Sequence, residues 1–266
     1  MNIESTKIVC FSPTGTTKAV VQGVARGINP VSMQLIDVTN PAARKISLQT
    51  SENELLLVAV PVYMGRVPSI INELLNSIRA HNTPTVCIVV YGNRAYESAL
   101  LELKNIVLNC GCIPIACAAY VGEHSFSNSE LPIALGRPDE DDLKHAIVFG
   151  KKIREKINSI SQIAQISDIY VPGSYPYGGV TKLWDVDFIE VSDQCSHCGV
   201  CAEVCPSGAV DSENSSTINI EKCITCCACI RNCPQNARTM KPGQVRDTAK
   251  RLNELYKEPK RPEYFL

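Results

Sequence analysis

Two cysteine runs restrict what this chain can fold into more than any other feature. CSHCGVCAEVCP (195–206) and CITCCACIRNCP (223–234) both read CxxCxxCxxxCP, a spacing that ligates 4Fe-4S clusters. Three thiolates spaced three residues apart wrap one tight loop around a cubane and reach three of its irons, which leaves the fourth iron to a distant cysteine. The proline after each last cysteine, Pro206 and Pro234, cannot continue a helix and turns the chain away. Zinc is the alternative, but it takes cysteines in tetrahedral groups, typically as two separated CxxC pairs, and the triple spacing suits a cubane better. The chain has fourteen cysteines, and its first residues, MNIESTKIVCF, show no basic segment followed by an apolar core. Reduced thiols and metal ligation are therefore expected in preference to a disulfide framework, in a cytoplasmic protein.

The runs resemble those of bacterial two-cluster ferredoxins. That resemblance implies that each run lends its last cysteine to the other run's cluster. Cys195, Cys198, Cys201 and Cys233 would hold one cluster, and Cys223, Cys226, Cys229 and Cys205 the other. Cys227 stands where the first run has Gly199, and it is expected to be a spare thiol and not a ligand. His197 is expected to be a solvated loop residue.

Upstream, short β-rich apolar runs alternate with segments of helical period, the pattern of a parallel sheet covered on both faces. Strands are expected over 7–12, 32–38, 54–62, 85–92 and 113–122. Helices are expected over 17–28, 68–80, 95–110 and 139–160, with a weaker one over 41–47. The fold class is therefore α/β: a doubly wound five-stranded parallel sheet of flavodoxin-like order 2-1-3-4-5, followed by a small α+β two-cluster ferredoxin-like domain. The expected divisions are 1–165 for the sheet domain, 166–186 for a Gly-, Pro- and Tyr-rich linker or crossing segment, 187–242 for the cluster domain, and 243–266 for a helix and tail. In that helix Val245, Ala249, Leu252 and Tyr256 share one face, which needs covering.

FSPTGTTKAV (11–20) leaves the first strand and enters a helix, so its backbone amides form an anion cradle. Ser12, Thr14, Thr16 and Thr17 add hydroxyls, and Gly15 permits close approach. GxGxxG and GxxxxGK[ST] are both missing, so neither a dinucleotide fingerprint nor a P-loop is present. The run SxTGTT resembles the FMN phosphate loop of flavodoxins; a hydroxyl-rich helix cap is the plainer reading. PVYMGRVP (61–68) follows the third strand, YGNRAYESAL (91–100) the fourth and VGEHSFSNSE (121–130) the fifth. All converge on the sheet edge where such folds bind ligands. Candidate flavin contacts are Pro61, Val62, Tyr63, Met64, Gly65 and Arg66 from the first of these loops. Tyr91, Gly92, Asn93, Arg94 and Tyr96 come from the second, and His124 and Ser125 from the third. Tyr63 or Tyr96 is suited to stacking on the ring, and Arg66 or Arg94 to stabilising negative charge near N1. Cys10, Cys87 and Cys117 read as small buried hydrophobes.

SPTGTT (12–17), PVYMGRVP, VVYGNRAYESALLELK, GEHSF and the two cysteine runs together resemble the flavodoxin-ferredoxin fusion family of anaerobic bacteria and archaea. The resemblance implies FMN and two 4Fe-4S clusters as cofactors and an electron-transfer role, with other redox proteins as donor and acceptor. A flavin-dependent oxidoreductase acting on a small molecule is the alternative. No catalytic acid, base or nucleophile accompanies the flavin loops. A net charge of -1 gives no electrostatic case for nucleic acid or an anionic membrane, and neither is an expected partner. Apolar runs such as LLLVAVPV are too short to span a bilayer.

Overall fold

Parallel strands buried on both faces need apolar side chains at consecutive positions, and the central runs supply them. In the computed structural model, which describes residues 1–161, 166–179 and 185–266, they form β1 (Ser5–Cys10), β2 (Met33–Asp37), β3 (Glu54–Pro61), β4 (Thr83–Tyr91) and β5 (Cys112–Val121). All nine residues of β4 are buried. The five pair in parallel in the order β2-β1-β3-β4-β5. This is the flavodoxin-like doubly wound order, which places a ligand crevice beyond the carboxyl ends of β1 and β3.

Alternate side chains feed two cores. Leu55, Leu57 and Ala59 of β3 face α1 (Thr16–Ile28) and α4 (Glu140–Ser159), together with Val20, Val24, Phe149 and Ile153. Leu56, Val58 and Val60 face the other way, toward α2 (Asn72–Ser77) and α3 (Ala99–Asn109), with Leu75, Leu100, Leu103 and Val107. Helices α1 and α4 approach backbone to backbone. A Cβ on Gly27 would lie 2.0 Å from the Ile147 carbonyl oxygen, and one on Gly150 2.1 Å from that of Val24.

Several boundaries differ from expectation. The helix expected over 68–80 is a 3-10 turn at Ser69–Ile71 running into the short α2. It stops at Ser77 because the chain extends to pair Arg79–Ala80 with Gln49–Thr50. The weak helix over 41–47 is a 3-10 turn, Pro41–Arg44. The sheet has six strands and not five. The tail strand β8 (Glu263–Phe265) pairs antiparallel with β5 through Glu263–Ala119, Tyr264–Ala118 and Phe265–Cys117. Three residues carry too little periodicity to announce a strand; the open edge of β5 organises them. Of the expected linker 166–186, residues 180–184 lie outside the described residues, as do 162–165 just before it. Ile169 and Val171 within it are buried in the α2/α3 core.

The cluster segment is a two-fold repeat at the level of local geometry. Helix α5 (Val200–Glu203) starts from Gly199 at φ 77°, and α6 (Ala228–Arg231) from Cys227 at φ 56°. Strands β6 (Ile189–Val191) and β7 (Arg238–Met240) pair antiparallel, and Val210 bridges Ile218. This segment does not stand apart from the sheet domain. Phe126 and Ile133, from the loop after β5, share a third core with Phe188, Ile189, Ala209, Met240, and Val245 and Ala249 of α7 (Gln244–Leu255). Arg231 pairs with Glu123 at 2.5 Å, and Asn93 grips the tail through the carbonyls of Tyr256 and Glu258 and the amide of Lys260. Among the described residues no helix is long and apolar enough to cross a membrane.

Candidate functional site

The loop between β1 and α1 leaves amides and hydroxyls uncommitted. Gly15 caps α1 in the left-handed region at φ 87° and, having no side chain, bonds none of the first-turn amides itself. The Ser12 hydroxyl accepts from the Lys18 amide, and the Ser12 amide donates to the Thr39 hydroxyl. Ser12 therefore braces the turn. Thr17 Oγ1 is buried with no hydrogen-bond partner, an arrangement that costs about 1–3 kcal/mol unless something fills it.

Thr14, Thr16 and Thr17 open onto a cavity of about 630 Å³, within the range of small-molecule and cofactor sites. Val62, Tyr63, Met64 and Gly65 form one side. Met64 and Gly65, at φ 52° and 78°, are the centre of a tight reversal closed by mutual backbone bonds between Tyr63 and Arg66; two positive φ values are what such a turn needs. Tyr91, Gly92 and Arg94 lie along the end of β4, and Glu123, His124, Ser125 and Phe126 follow β5. His124 Nδ1 accepts from the Phe126 amide, so its ring proton sits on Nε2. Desolvation, then the nearby Arg94 charge, lowers its pKa to about 4. Burial works to raise the Glu123 pKa, but hydrogen bonds from Arg231 and the Gly136 amide outweigh it, and the group stays ionised.

The remaining wall comes from the cluster half. Thr225, Thr248, Arg251, Leu252 and Tyr256 line the same cavity. Thr225 lies between Cys223 and Cys226, is 2% exposed, and has a hydroxyl without a partner. Burial raises the Tyr63 pKa well above its ordinary value, with Cys226 and Cys227 adding to the effect. One wall thus belongs to both the cavity and the second cysteine run.

Not every candidate faces this space. Pro61 lines it, whereas Ser12, Gly15, Arg66, Asn93 and Tyr96 do not. Arg66 is a correction in kind. Its guanidinium forms a two-point pair with Glu102, at 2.7 and 2.8 Å, and stacks over Tyr177. Glu102 is only 5% exposed on its side chain, and a buried carboxylate claims the nearest cation. The Tyr96 hydroxyl bonds Glu263 of β8, and Asn93 holds the tail. Arg94 lines the cavity while paired with Glu97 at 2.6 Å. Nothing in the local sequence marks Thr225 or the α7 residues as site residues. The apolar face of α7 was the one available signal, and its Leu252 and the adjoining Tyr256 turn out to border the cavity.

The eight run cysteines fall into two groups. Cys205, Cys223, Cys226 and Cys229 ring one small cavity, with Val210 and Cys227; Cys195, Cys198, Cys201 and Cys233 ring another, with Ser215 and Arg238. Among the described residues, no three His, Cys, Asp or Glu side chains converge on a point suited to a single ion. Backbone amides already point at the sulfurs, Ala209 to Cys205 at 3.2 Å and Ala237 to Cys233 at 3.3 Å. Burial opposes the Cys205 thiolate, but donors from Ser207, Val210 and Ala209 bring its pKa down. Ringed sulfurs with donors aimed at them fit two cubanes. The Cys227 thiol is directed at the Thr225 carbonyl, 3.8 Å away.

Residues 188–234 match the family model of the 4Fe-4S dicluster domain. A comparison with curated proteins finds no match. Among solved structures, a flavodoxin from the domain Archaea is 17% identical with a TM-score of 0.41, covering 58% of this chain and 99% of its own. A Streptococcus pneumoniae TIGR4 flavodoxin is 15% identical with a TM-score of 0.40, covering 57% and 99%. A Fusobacterium nucleatum flavodoxin bound to flavin mononucleotide is 13% identical with a TM-score of 0.35, covering 56% and 98%. The assignment of the sheet rests on its own strand order.

Proposed function

For a chain that joins a flavodoxin-like sheet to a 4Fe-4S dicluster domain, we propose an electron-transfer protein that holds FMN in the shared cavity and relays electrons between it and two clusters. Other redox proteins serve as donor and acceptor. When bound, the flavin exchanges one or two electrons and each cluster one, so the assembly couples two-electron to one-electron partners. The observation that carries this reading is Thr225: a single residue walls the cavity and sits inside the cysteine run that rings the adjacent cluster site.

The chain's own groups supply placement. The Thr16 and Thr17 amides at the start of α1 and the Thr14, Thr16 and Thr17 hydroxyls would receive the phosphate. Tyr63 and Tyr91 line the cavity and would flank the ring. The Nε2 proton of His124 is available to a ring carbonyl, and the neutral imidazole adds no charge there at neutral pH. Arg94 is the nearby cation. Leu252 and Tyr256 exclude water from the side facing the clusters.

A second reading, reduction of a small molecule at the flavin, is favoured by one observation. Helix α7 and the residue after it wall the cavity with Thr248, Arg251 and Tyr256, where a carrier docking directly at the flavin would leave that side open. Rapid photoreduction of the flavin in anaerobically reconstituted protein tests the relay. Flavin signal should decay as reduced-cluster signal grows, at a rate independent of protein concentration. Failure to bind FMN, or reduction that never reaches the clusters, sinks the proposal. Turnover of a small electron acceptor while the clusters are blocked in the oxidised state would move the second reading to first.

A further inference from the structure

The two halves of the cluster repeat share their cysteine, proline and Ala209/Ala237 positions, and one position at which they differ places a buried charge at a cluster site. After its last cysteine the first run continues Cys205-Pro206-Ser207-Gly208-Ala209-Val210; the second continues Cys233-Pro234-Gln235-Asn236-Ala237-Arg238. The alanine amides make the same bond to the cysteine sulfur in both. The next side chain lines the cavity in both, Val210 in one and Arg238 in the other. At this position the repeat therefore has an apolar side chain at one cluster site and a guanidinium at the other; the cations beside the first of these come from elsewhere, Arg44 at the Pro206 carbonyl and Arg231, which is paired with Glu123.

That guanidinium is 3% exposed. Nη2 donates to the Ser215 carbonyl, Nη1 is buried without a partner, and among the described residues no carboxylate forms an ion pair with Arg238. A buried cation with a spare donor and no counter-ion is strongly unfavourable unless an anion occupies the space it faces. Four thiolates around a cubane supply net negative charge there. Arg238 lines the cavity ringed by Cys195, Cys198, Cys201 and Cys233 and does not line the one ringed by Cys205, Cys223, Cys226 and Cys229.

We propose that Arg238 orders the two cluster potentials, raising that of the cluster held by Cys195, Cys198, Cys201 and Cys233 above that of the cluster beside the flavin cavity. This rests on the two-cluster relay proposed above. An added electron is stabilised by a nearby positive charge and by hydrogen bonds toward the cluster, and both act most strongly where water is excluded. The exchange concerned is a one-electron transfer, one cluster losing what the other gains, with no atom moved. The geometry gives the ordering a direction. Thr225 ties the Cys223, Cys226, Cys229 and Cys205 site to the cavity, whereas Cys198 of the other site is exposed and its counterpart Cys226 is buried. Arg238 therefore draws electrons away from the flavin to the cluster that faces solvent, where a partner docks, and makes the return uphill.

Redox titration of the reconstituted full chain, followed by electron spin resonance, measures both midpoints. Arg238→Gln keeps an N–H for Ser215 but removes the charge; Arg238→Lys keeps the charge. The gap between the midpoints should narrow in Arg238→Gln by at least a tenfold change in the equilibrium between the clusters, about 59 mV, and most of it should persist in Arg238→Lys. A smaller narrowing, or a wider gap, in the Gln variant overturns the ordering, as does an equal collapse in the Lys variant, which would make the role structural. A parent protein with only one cluster signal would sink the two-cluster reading itself, and so is distinguishable from these results.

Discussion

The Thr17 hydroxyl is a group the fold places at a loss, and replacing it with a near-isosteric methyl separates what it does for the empty protein from what it does for a ligand. Thr17 is 1% exposed and its Oγ1 has no partner. An unsatisfied buried hydroxyl costs about 1–3 kcal/mol, and replacing it with an apolar group of the same shape removes that cost. Valine and threonine have similar helix propensities, so the backbone of α1 should barely register the change. Thr17→Val should therefore stabilise the FMN-free protein by about 1 kcal/mol, seen as a rise in Tm of about 2–4 °C. The same variant should bind FMN more weakly. A hydrogen bond to a charged phosphate contributes about 1.5–3 kcal/mol, a loss of roughly 10- to 100-fold in affinity. Flavin fluorescence titration reads the second quantity and thermal denaturation without FMN the first. The opposite signs make the test sharp. Unchanged FMN affinity would show that the phosphate does not reach Thr17. A marked fall in Tm without FMN would show that the hydroxyl has a structural partner after all.

Other outcomes follow from the same geometry. Cys205→Ala should abolish the cluster of the second run, leaving the first run's cluster by iron count and spin resonance; loss of the first run's cluster alone would reverse the crossed pairing. Arg66→Ala should leave the flavin potential unmoved but destabilise the protein by about 3–5 kcal/mol, because it strands the buried Glu102 carboxylate; a shifted potential in redox titration would return Arg66 to the flavin. His124 should make stability pH-dependent. With a folded pKa of about 4 against 6.5 unfolded, the unfolded chain binds a proton that the fold refuses, so stability falls as pH drops through that interval. His124→Gln should flatten the urea-midpoint profile between those pH values, and an unaltered slope would contradict the desolvated placement.

What the sequence made legible was the part fixed by short-range chemistry. The five main strands lie within two residues of expectation because consecutive apolar residues leave a sheet buried on both faces as their simplest outcome. The crossed grouping of the cysteines followed from ligand spacing and the ferredoxin resemblance. The cavity was half legible. The threonines of SPTGTT, the PVYMG stretch and GEHS supply its floor and sides, and those loops are unusual in themselves. Its far wall was hidden because Thr225 and Arg251 are ordinary residues made special by where a distant segment docks. Arg66 misled for the matching reason. Its partner Glu102 lies 36 residues away on α3, and nothing local separates an arginine with a buried carboxylate from one with a free head group. The helix expected over 68–80 ended early because pairing with Gln49–Thr50 outweighed its local period.

The tail strand β8 has a consequence for how the molecule works over time. Because Glu263–Phe265 is stitched to β5 of the first sheet, the cluster segment is anchored to that sheet on both its upstream and downstream sides, as a closed loop and not a pendant. A pendant redox module must find its docking position anew for each transfer, at a rate set by diffusion through its linker. A module held at both ends has made that search once, during folding. In the proposed relay, transfer between cavity and cluster should then be insensitive to solvent viscosity, which leaves docking with an outside donor or acceptor as the diffusive step.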